Sequence, residues 1–320
     1  MRYTALSAPI AATTLLSLLL ASCSSTAPLP TAPEQGSQAV TVQIKDVSFT
    51  GPSWKGQNVT LTGKLYLPGT VAPTNTLPTV VMMHGCSGIW SRKDGKIAKD
   101  ANGNYVVGSM FTEWGKRLAN NGYVALLVDS FTPRNNLDGV CDVDPTVSGI
   151  SEVTDRPQDA YAAYTFLQNS YSNWVNPQKV GLLGWSNGGS ATLSTLASNT
   201  WTSNVFKAGV AFYPGCGLRD AYGGLSQSTY VPYAPLRIWH GSIDDLYTGA
   251  GSNTAYPCNK RIDRARVLSP SVDFSMTVHT GAQHSFDQAR ATEAKWTQDD
   301  LNAKVTADQD TLDFFNSKLK

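Results

Sequence analysis

Six runs between residues 79 and 279 are apolar along nearly their whole length, and longer mixed segments separate them. They are 79–84 (TVVMMH), 123–129 (YVALLVD), 180–183 (VGLL), 208–213 (AGVAFY), 236–240 (LRIWH) and 272–279 (VDFSMTVH). A strand apolar on both faces needs cover on both faces, which a mostly parallel sheet between two helix layers provides. The intervening segments are of helical type. Residues 110–121 place Phe111, Trp114, Leu118 and Ala119 along one stripe, and 155–168 do the same with Ala160, Ala163, Tyr164 and Leu167. Further helices are expected just after Ser186, over 254–267, and over 291–319 with a break. Ahead of the series, 40–49 and 59–67 alternate with period two and read as an antiparallel pair near one edge. The pattern predicts one α/β domain over residues 40–320, a doubly wound, mostly parallel sheet with helices on both faces.

Composition agrees with such a domain and excludes some partners. Of 320 residues, 41% are apolar and 15% charged, ample for a large buried core. The formal net charge of +1 gives no electrostatic reason to expect a nucleic-acid partner. No metal site is expected, because no Cys-x-x-Cys or His-x-x-x-His spacing occurs.

The N-terminus reads as an export signal. Met1-Arg2 supplies a positive start and 11–20 (AATTLLSLLL) an apolar stretch of signal-peptide length. Residues 20–23 (LASC) resemble the bacterial lipobox, which implies cleavage before Cys23 and lipidation of its thiol. Residues 1–22 are therefore expected to be a lipoprotein signal, and the Ser/Thr/Pro/Ala-rich 23–39 a flexible tether to a membrane of the bacterial cell envelope. Export places Cys86, Cys141, Cys216 and Cys258 in an oxidising compartment. Four cysteines allow three pairings, and short-range order suggests Cys86–Cys141 and Cys216–Cys258. Each bridge would contribute about 4 kcal/mol at most through loop closure.

Within this frame one serine stands out. Residues 180–190 read VGLLGWSNGGS, so Ser186 sits between Gly184 and Gly188 just after a strand-like run and just before a helix-like one. A Gly-x-Ser-x-Gly turn in that context presents its hydroxyl above the sheet, and the Asn187 N–H can face a developing oxyanion. The phosphate-binding patterns GxGxxG and GxxxxGK[ST] are absent. A nucleophilic serine needs a base and an acid, which in this architecture follow it in the order acid, histidine. His284, in the polar loop 281–286 (GAQHSF) after the last strand, is the better base; His279 lies within that strand. Asp244 and Asp245 both fall in the loop after the strand ending at His240, and Asp244 is preferred because it stands three residues after Gly241. The loop 84–88 (HGCSG) is expected to supply the second oxyanion donor from the Cys86 N–H. His84 and His240 read as structural. Trp185 and Trp90, the latter in the insertion 89–109, are expected to wall the acyl site.

From about residue 40 onward the chain resembles the dienelactone hydrolase family of α/β-hydrolases. The resemblance rests on HGCSG (84–88), DSFTPR (129–134), GWSNGG (184–189), YPGC (213–216), HGSID (240–244) and HSF (284–286). It implies an α/β-hydrolase fold, a triad of Ser186, Asp244 and His284, and an arginine, Arg134, that binds a substrate carboxylate. It implies no metal or organic cofactor. Departures bear on substrate: serine stands where the type enzymes have cysteine, Gly85 where they carry glutamate, and Gln288 where they place a second arginine. These point to a serine hydrolase of small-molecule esters or lactones. A polyester hydrolase or cutinase-like esterase, a peptidase, and a non-catalytic envelope lipoprotein that keeps the fold for binding are the alternatives. Nothing in the motifs specifies an oligomeric state.

Overall fold

A computed structural model describes residues 41–320 apart from 142, 144, 199, 202, 224–226, 250–257 and 289–295. The expected signal segment 1–22 and the expected tether 23–39, with the expected lipidation position Cys23, lie outside the described residues. No described helix is long and apolar enough to cross a membrane.

The chain opens with β1 (Val42–Trp54) and β2 (Gln57–Pro68), paired antiparallel as their alternation predicts. After β3 (Leu77–Met83), the 89–109 insertion folds on itself as a ribbon of β4 (Arg92–Lys93) and β5 (Lys96–Ile97). Next come α1 (Ser109–Asn120), β6 (Val124–Asp129), the one-turn α2 (Pro145–Ser148), α3 (Asp155–Ser170), β7 (Val175–Trp185) and α4 (Asn187–Thr195). β8 (Ala208–Phe212), β9 (Leu236–Gly241), the one-turn α5 (Asp245–Thr248), α6 (Cys258–Leu268), β10 (Phe274–His279) and α7 (Gln298–Leu319) complete the order.

Eight strands form one sheet in the order β1-β2-β6-β3-β7-β8-β9-β10. From β6 to β10 every neighbouring pair is parallel, while β2 meets β6 antiparallel. Successive side chains on a strand point to opposite faces, and the two cores divide accordingly. Val81, Leu126 and Leu182 pack under α3, α4 and α6, whereas Met82, Leu127 and Leu183 pack under α1 and α7. β3 lies between β6 and β7, so the winding reverses there. Ligands in open α/β sheets bind beyond the carboxyl ends of the strands at such a reversal, and both the 84–88 loop and Ser186 stand at that point.

Three elements differ from their sequence reading. β7 starts at Val175, five residues before its apolar run, because Val175 already pairs with Leu77; residues 176–179 then span a register irregularity before Val180 meets Thr79. α7 is unbroken over Gln298–Leu319, opened by a capping box in which Thr297 and Asp300 satisfy one another's backbone N–H. The insertion is a β-ribbon, tied back by the Trp90–Val107 and Lys99–Tyr105 bridges.

Cys86 pairs with Cys141 and Cys216 with Cys258. The first ties the loop after β3 to the approach to α2, the second ties the turn after β8 to the start of α6. Replacing Cys216 and Cys258 together by alanine should lower unfolding free energy by about 4 kcal/mol, read from urea melts against wild type. An unchanged midpoint would show that this bridge carries no stability.

Candidate active site

The turn between β7 and α4 is as tight as its glycines imply. Ser186 has φ 52° and ψ −117°, a left-handed conformation that costs a non-glycine residue energy. A Cβ on Gly184 would overlap the Gly188 carbonyl, and one on Gly188 would overlap the Met83 carbonyl. Only glycines fit at these two positions. The Ser186 N–H donates to Phe212 O at 2.9 Å and the Ser190 N–H to Ser186 O at 2.9 Å, pinning the turn between sheet and helix.

The loops after β9 and β10 clasp each other and bring two further side chains to the serine. Ile243 N–H donates to Ala282 O (3.1 Å) and Gly281 N–H to Ser242 Oγ (2.9 Å). The α7 cap joins them, since Asp300 Oδ1 also accepts the Gln283 N–H at 2.8 Å. His284 Nε2 lies 3.0 Å from Ser186 Oγ, and its Nδ1 lies 2.9 Å from Asp244 Oδ2. Because a carboxylate only accepts, Nδ1 carries the proton and Nε2 is free to accept one from the serine. Asp244 is 1% exposed; its Oδ1 accepts the Leu246 N–H at 2.8 Å. Burial raises the carboxyl, but hydrogen bonds from His240 and His284 outweigh it and hold Asp244 well below the usual carboxylate range. His240 Nδ1 approaches the same Oδ2 at 3.2 Å. Asp245, the other positional candidate for the acid, instead begins α5.

The 84–88 loop abuts the serine: a Cβ on Gly85 would sit 3.5 Å from Ser186 Cβ. His84 governs its orientation. Its Nε2 accepts the Ser130 N–H at 3.1 Å, so Nδ1 bears the proton and donates to Gly85 O at 2.7 Å. Burial, reinforced by the Arg156 charge, pushes the His84 imidazole well below its ordinary range, in keeping with this neutral form. The Gly85 carbonyl and the Cys86 N–H belong to one planar peptide and point opposite ways. Holding the carbonyl therefore turns the Cys86 N–H away from His84. Among the described residues neither this N–H nor that of Asn187 donates to a protein acceptor.

Three expected substrate contacts are corrected. Arg134 is not available to a carboxylate. Its Nη1 and Nη2 grip Asp159 at 2.8 and 2.7 Å, with neither side chain exposed. Trp185 walls no acyl site; it is fully buried among Phe111, Trp114 and Phe212, because its side chain points through the sheet toward α1. Trp90 donates to Thr132 Oγ1 (2.8 Å) and lines a groove of about 440 Å³ with Ile89 and residues of β1 and β2, a groove to whose walls Ser186, Asp244 and His284 do not contribute. A larger groove of about 890 Å³, between β1 and α3, also contains none of them.

Other residues near the site carry no sequence signal. Arg156, on α3, donates to Asn187 Oδ1 at 2.6 Å, and burial lowers its guanidinium to about 10. Asp287 is buried below His284, accepting Tyr213 OH at 2.5 Å and Trp185 Nε1 at 2.9 Å, and burial pushes its carboxyl up to about 6. The Tyr213 ring stands edge-on to His284 at 4.7 Å between centroids. Gln288, where the resemblance implies an arginine, donates to Tyr213 OH at 3.1 Å. Cys216, His240 and Cys258 bring donor atoms within 4.8 Å of one another, but the sulfurs are joined as a disulfide and offer no thiolate to a metal.

Comparison with known proteins agrees with this fold. The sequence matches the model of the dienelactone hydrolase family over residues 69–319, most of its length, and the chain belongs to that family. A search of curated proteins finds no match. Among solved structures it is similar to a promiscuous, dienelactone hydrolase-like phosphotriesterase from metagenomic libraries, with 17% identity, a TM-score of 0.57, and coverage of 87% of this chain and 99% of that one. Esterase 2 of Thermogutta terrifontis, phosphorylated by paraoxon, shares 16% identity at a TM-score of 0.52, covering 84% and 94%. A puromycin-hydrolyzing peptidase of Mycobacterium tuberculosis shares 15% at 0.55, covering 89% of this chain and 41% of the peptidase. The shared feature is the α/β-hydrolase fold.

Two measurements check the buried charges. Arg134→Ala should destabilise the protein by about 3–5 kcal/mol, because it strands the Asp159 carboxylate; a stable variant with an altered KM would restore a substrate role. Asp287 has a folded pKa above its unfolded one, so its contribution is complete below the ordinary carboxylate pKa and is lost as pH rises through about 6. Wild type should lose on the order of 3 kcal/mol from this group between about pH 4 and 7. Urea melts of Asp287→Asn should lack that component, and identical pH slopes would refute it.

Proposed function

We propose that this chain is a serine hydrolase that cleaves carboxylic esters or lactones through an acyl-enzyme. The observation that carries the reading is the unbroken relay from Ser186 Oγ through His284 to a buried, ionised Asp244, at 3.0 and 2.9 Å. Ser186 attacks the acyl carbonyl while His284 takes its proton and then returns one to the leaving alcohol. Asp244 fixes the imidazole tautomer and stabilises the imidazolium without itself taking the proton. The N–H groups of Cys86 and Asn187 receive the oxyanion, each worth roughly 3 kcal/mol in the transition state. Water then repeats the sequence on the acyl-enzyme. The esterase, phosphotriesterase and peptidase activities named for the similar structures support hydrolysis at an activated acyl or phosphoryl centre.

Neutral substrates are favoured over anionic lactones. Both positions at which the resemblance implies a carboxylate-binding arginine are otherwise engaged, Arg134 with Asp159 and Gln288 with Tyr213. We place the activity in the bacterial cell envelope on an N-terminal lipid anchor, a reading supported by the LASC stretch at Cys23 and by two disulfides.

Purified protein should turn over p-nitrophenyl butyrate, and Ser186→Ala should lose about four to six orders of magnitude in kcat with an unchanged unfolding midpoint. Absence of turnover across a panel of neutral esters and lactones, or an active Ser186→Ala variant, contradicts the proposal.

A further inference from the structure

We propose that the side-chain amide of Asn187 is a substrate-binding donor, locked in orientation by the buried Arg156, and that it selects acyl groups carrying a second oxygen acceptor beside the scissile carbonyl. Alkoxyacyl and hydroxyacyl esters belong to this class. The inference deepens the hydrolase reading above and rests on it.

The accessible surface around the nucleophile is small. Between residues 180 and 197 every residue is buried except Ser186 and Asn187, which are half-exposed. These two neighbours open onto one cleft, so a group that Asn187 presents there meets whatever is bound at Ser186.

Arg156 decides which end of the amide is presented. Its Nη1 lies 2.6 Å from the Asn187 amide oxygen. Burial lowers the guanidinium only to about 10, so it stays a cation at neutral pH. A guanidinium donates through every nitrogen and accepts through none, so the amide atom that faces it is Oδ1. With Oδ1 turned inward, the planar amide carries Nδ2 at its other corner. That corner lies away from the wholly buried Arg156 and toward the accessible side. Among the described residues Nδ2 donates to no protein acceptor.

Arg156 can hold this pose because it is itself immobilised. It projects from α3 with no exposure, its guanidinium carbon 5.0 Å from the centroid of the Phe131 ring. The neighbouring carboxylates are engaged elsewhere. Asp159 gives both oxygens to Arg134 at 2.8 and 2.7 Å, and Asp129 Oδ1 accepts the N–H groups of Phe131 and Thr132 at 3.0 Å each. Among the described residues the bond to Asn187 is the one hydrogen bond Arg156 makes, since Nε and Nη2 have no partner. Buried polar atoms that forgo partners call for a functional reason, and here the one partner adjoins the nucleophile.

Position also decides which half of the substrate is read. His284 must face the leaving alcohol to return a proton to it. Asn187 instead carries an oxyanion donor on its backbone, which sets its side chain beside the acyl half. A bound substrate strips water from the Nδ2 donors. An ether, hydroxyl or carbonyl oxygen restores the lost bond, and a plain alkyl chain does not. Asn187 is thus a specificity residue, and Arg156 a positioning residue that acts through it.

The test compares p-nitrophenyl methoxyacetate with p-nitrophenyl butyrate, whose acyl groups match in length and differ by an oxygen in place of a methylene. The ratio of their kcat/KM values cancels losses common to both esters. Asn187→Asp keeps the contact with Arg156 as an ion pair while removing both donors, and should lower the ratio about tenfold against wild type. Arg156→Met frees the amide and should lower it several-fold. An unchanged ratio in Asn187→Asp overturns the donor role, and an unchanged ratio in folded Arg156→Met overturns the positioning role. Should Arg156→Met fail to fold, the melting temperature of Asn187→Asp decides the contact. It should equal or exceed that of wild type, because the new carboxylate faces a buried cation, and a marked fall refutes it. Wild type that turns over neither ester defeats the hydrolase reading and this inference with it, whereas turnover with an unmoved ratio defeats the inference alone.

Discussion

The Asp244 carboxylate is the interaction on which the site depends. It is a negative charge with almost no exposure, in a region where an unpaired ion would cost several kcal/mol. Its two oxygens are fully used: Oδ1 by the Leu246 N–H, Oδ2 by His284 and His240. That geometry exists only because the loops after β9 and β10 are locked together and because the α7 cap holds the second of them. Asp244 in turn fixes the His284 tautomer that leaves Nε2 toward Ser186. Removing the carboxylate would release all three partners.

A second constraint is the short turn after β8. Tyr213 packs its ring on His284 and its hydroxyl on Asp287, Pro214 offers its carbonyl to His240, Gly215 grips Ser190, and Cys216 is bridged to α6. Four consecutive residues therefore connect His284, the His240 partner of Asp244 and helix α4. The sheet does the rest, because the reversal of winding at β3 places the 84–88 loop beside the carboxyl end of β7. The strain stored in Ser186 is sustained by this surrounding framework and by two glycines that no other residue could replace.

Much of this was legible in the order of residues, for identifiable reasons. Central strands of a parallel sheet are apolar on both faces, so β3, β6 and β8 announce themselves as continuous runs. The elbow needs small residues at fixed offsets, so Gly184 and Gly188 mark Ser186. The acid and base lie on loops at strand ends, which places Asp244 and His284. What escaped depends on which way a side chain points across distant elements. Arg134 belongs to Asp159, 25 residues further along, and no local pattern connects them. Trp185 adjoins Ser186 in sequence yet its side chain is buried in the core under α1 and α7, as alternation along β7 requires. His240 meets Asp244 across a strand end and a turn, where periodicity gives no guide. Arg156 and Asp287 reach the site from α3 and from the segment after His284 without any motif.

The central claim is that Ser186, activated by His284, forms a covalent acyl intermediate. Peptide mass mapping after exposure of the folded protein to a fluorophosphonate tests it directly. The account predicts one adduct per chain, on Ser186, with labelling strongly slowed in His284→Ala. An unmodified protein, or an adduct on any other residue, would contradict it.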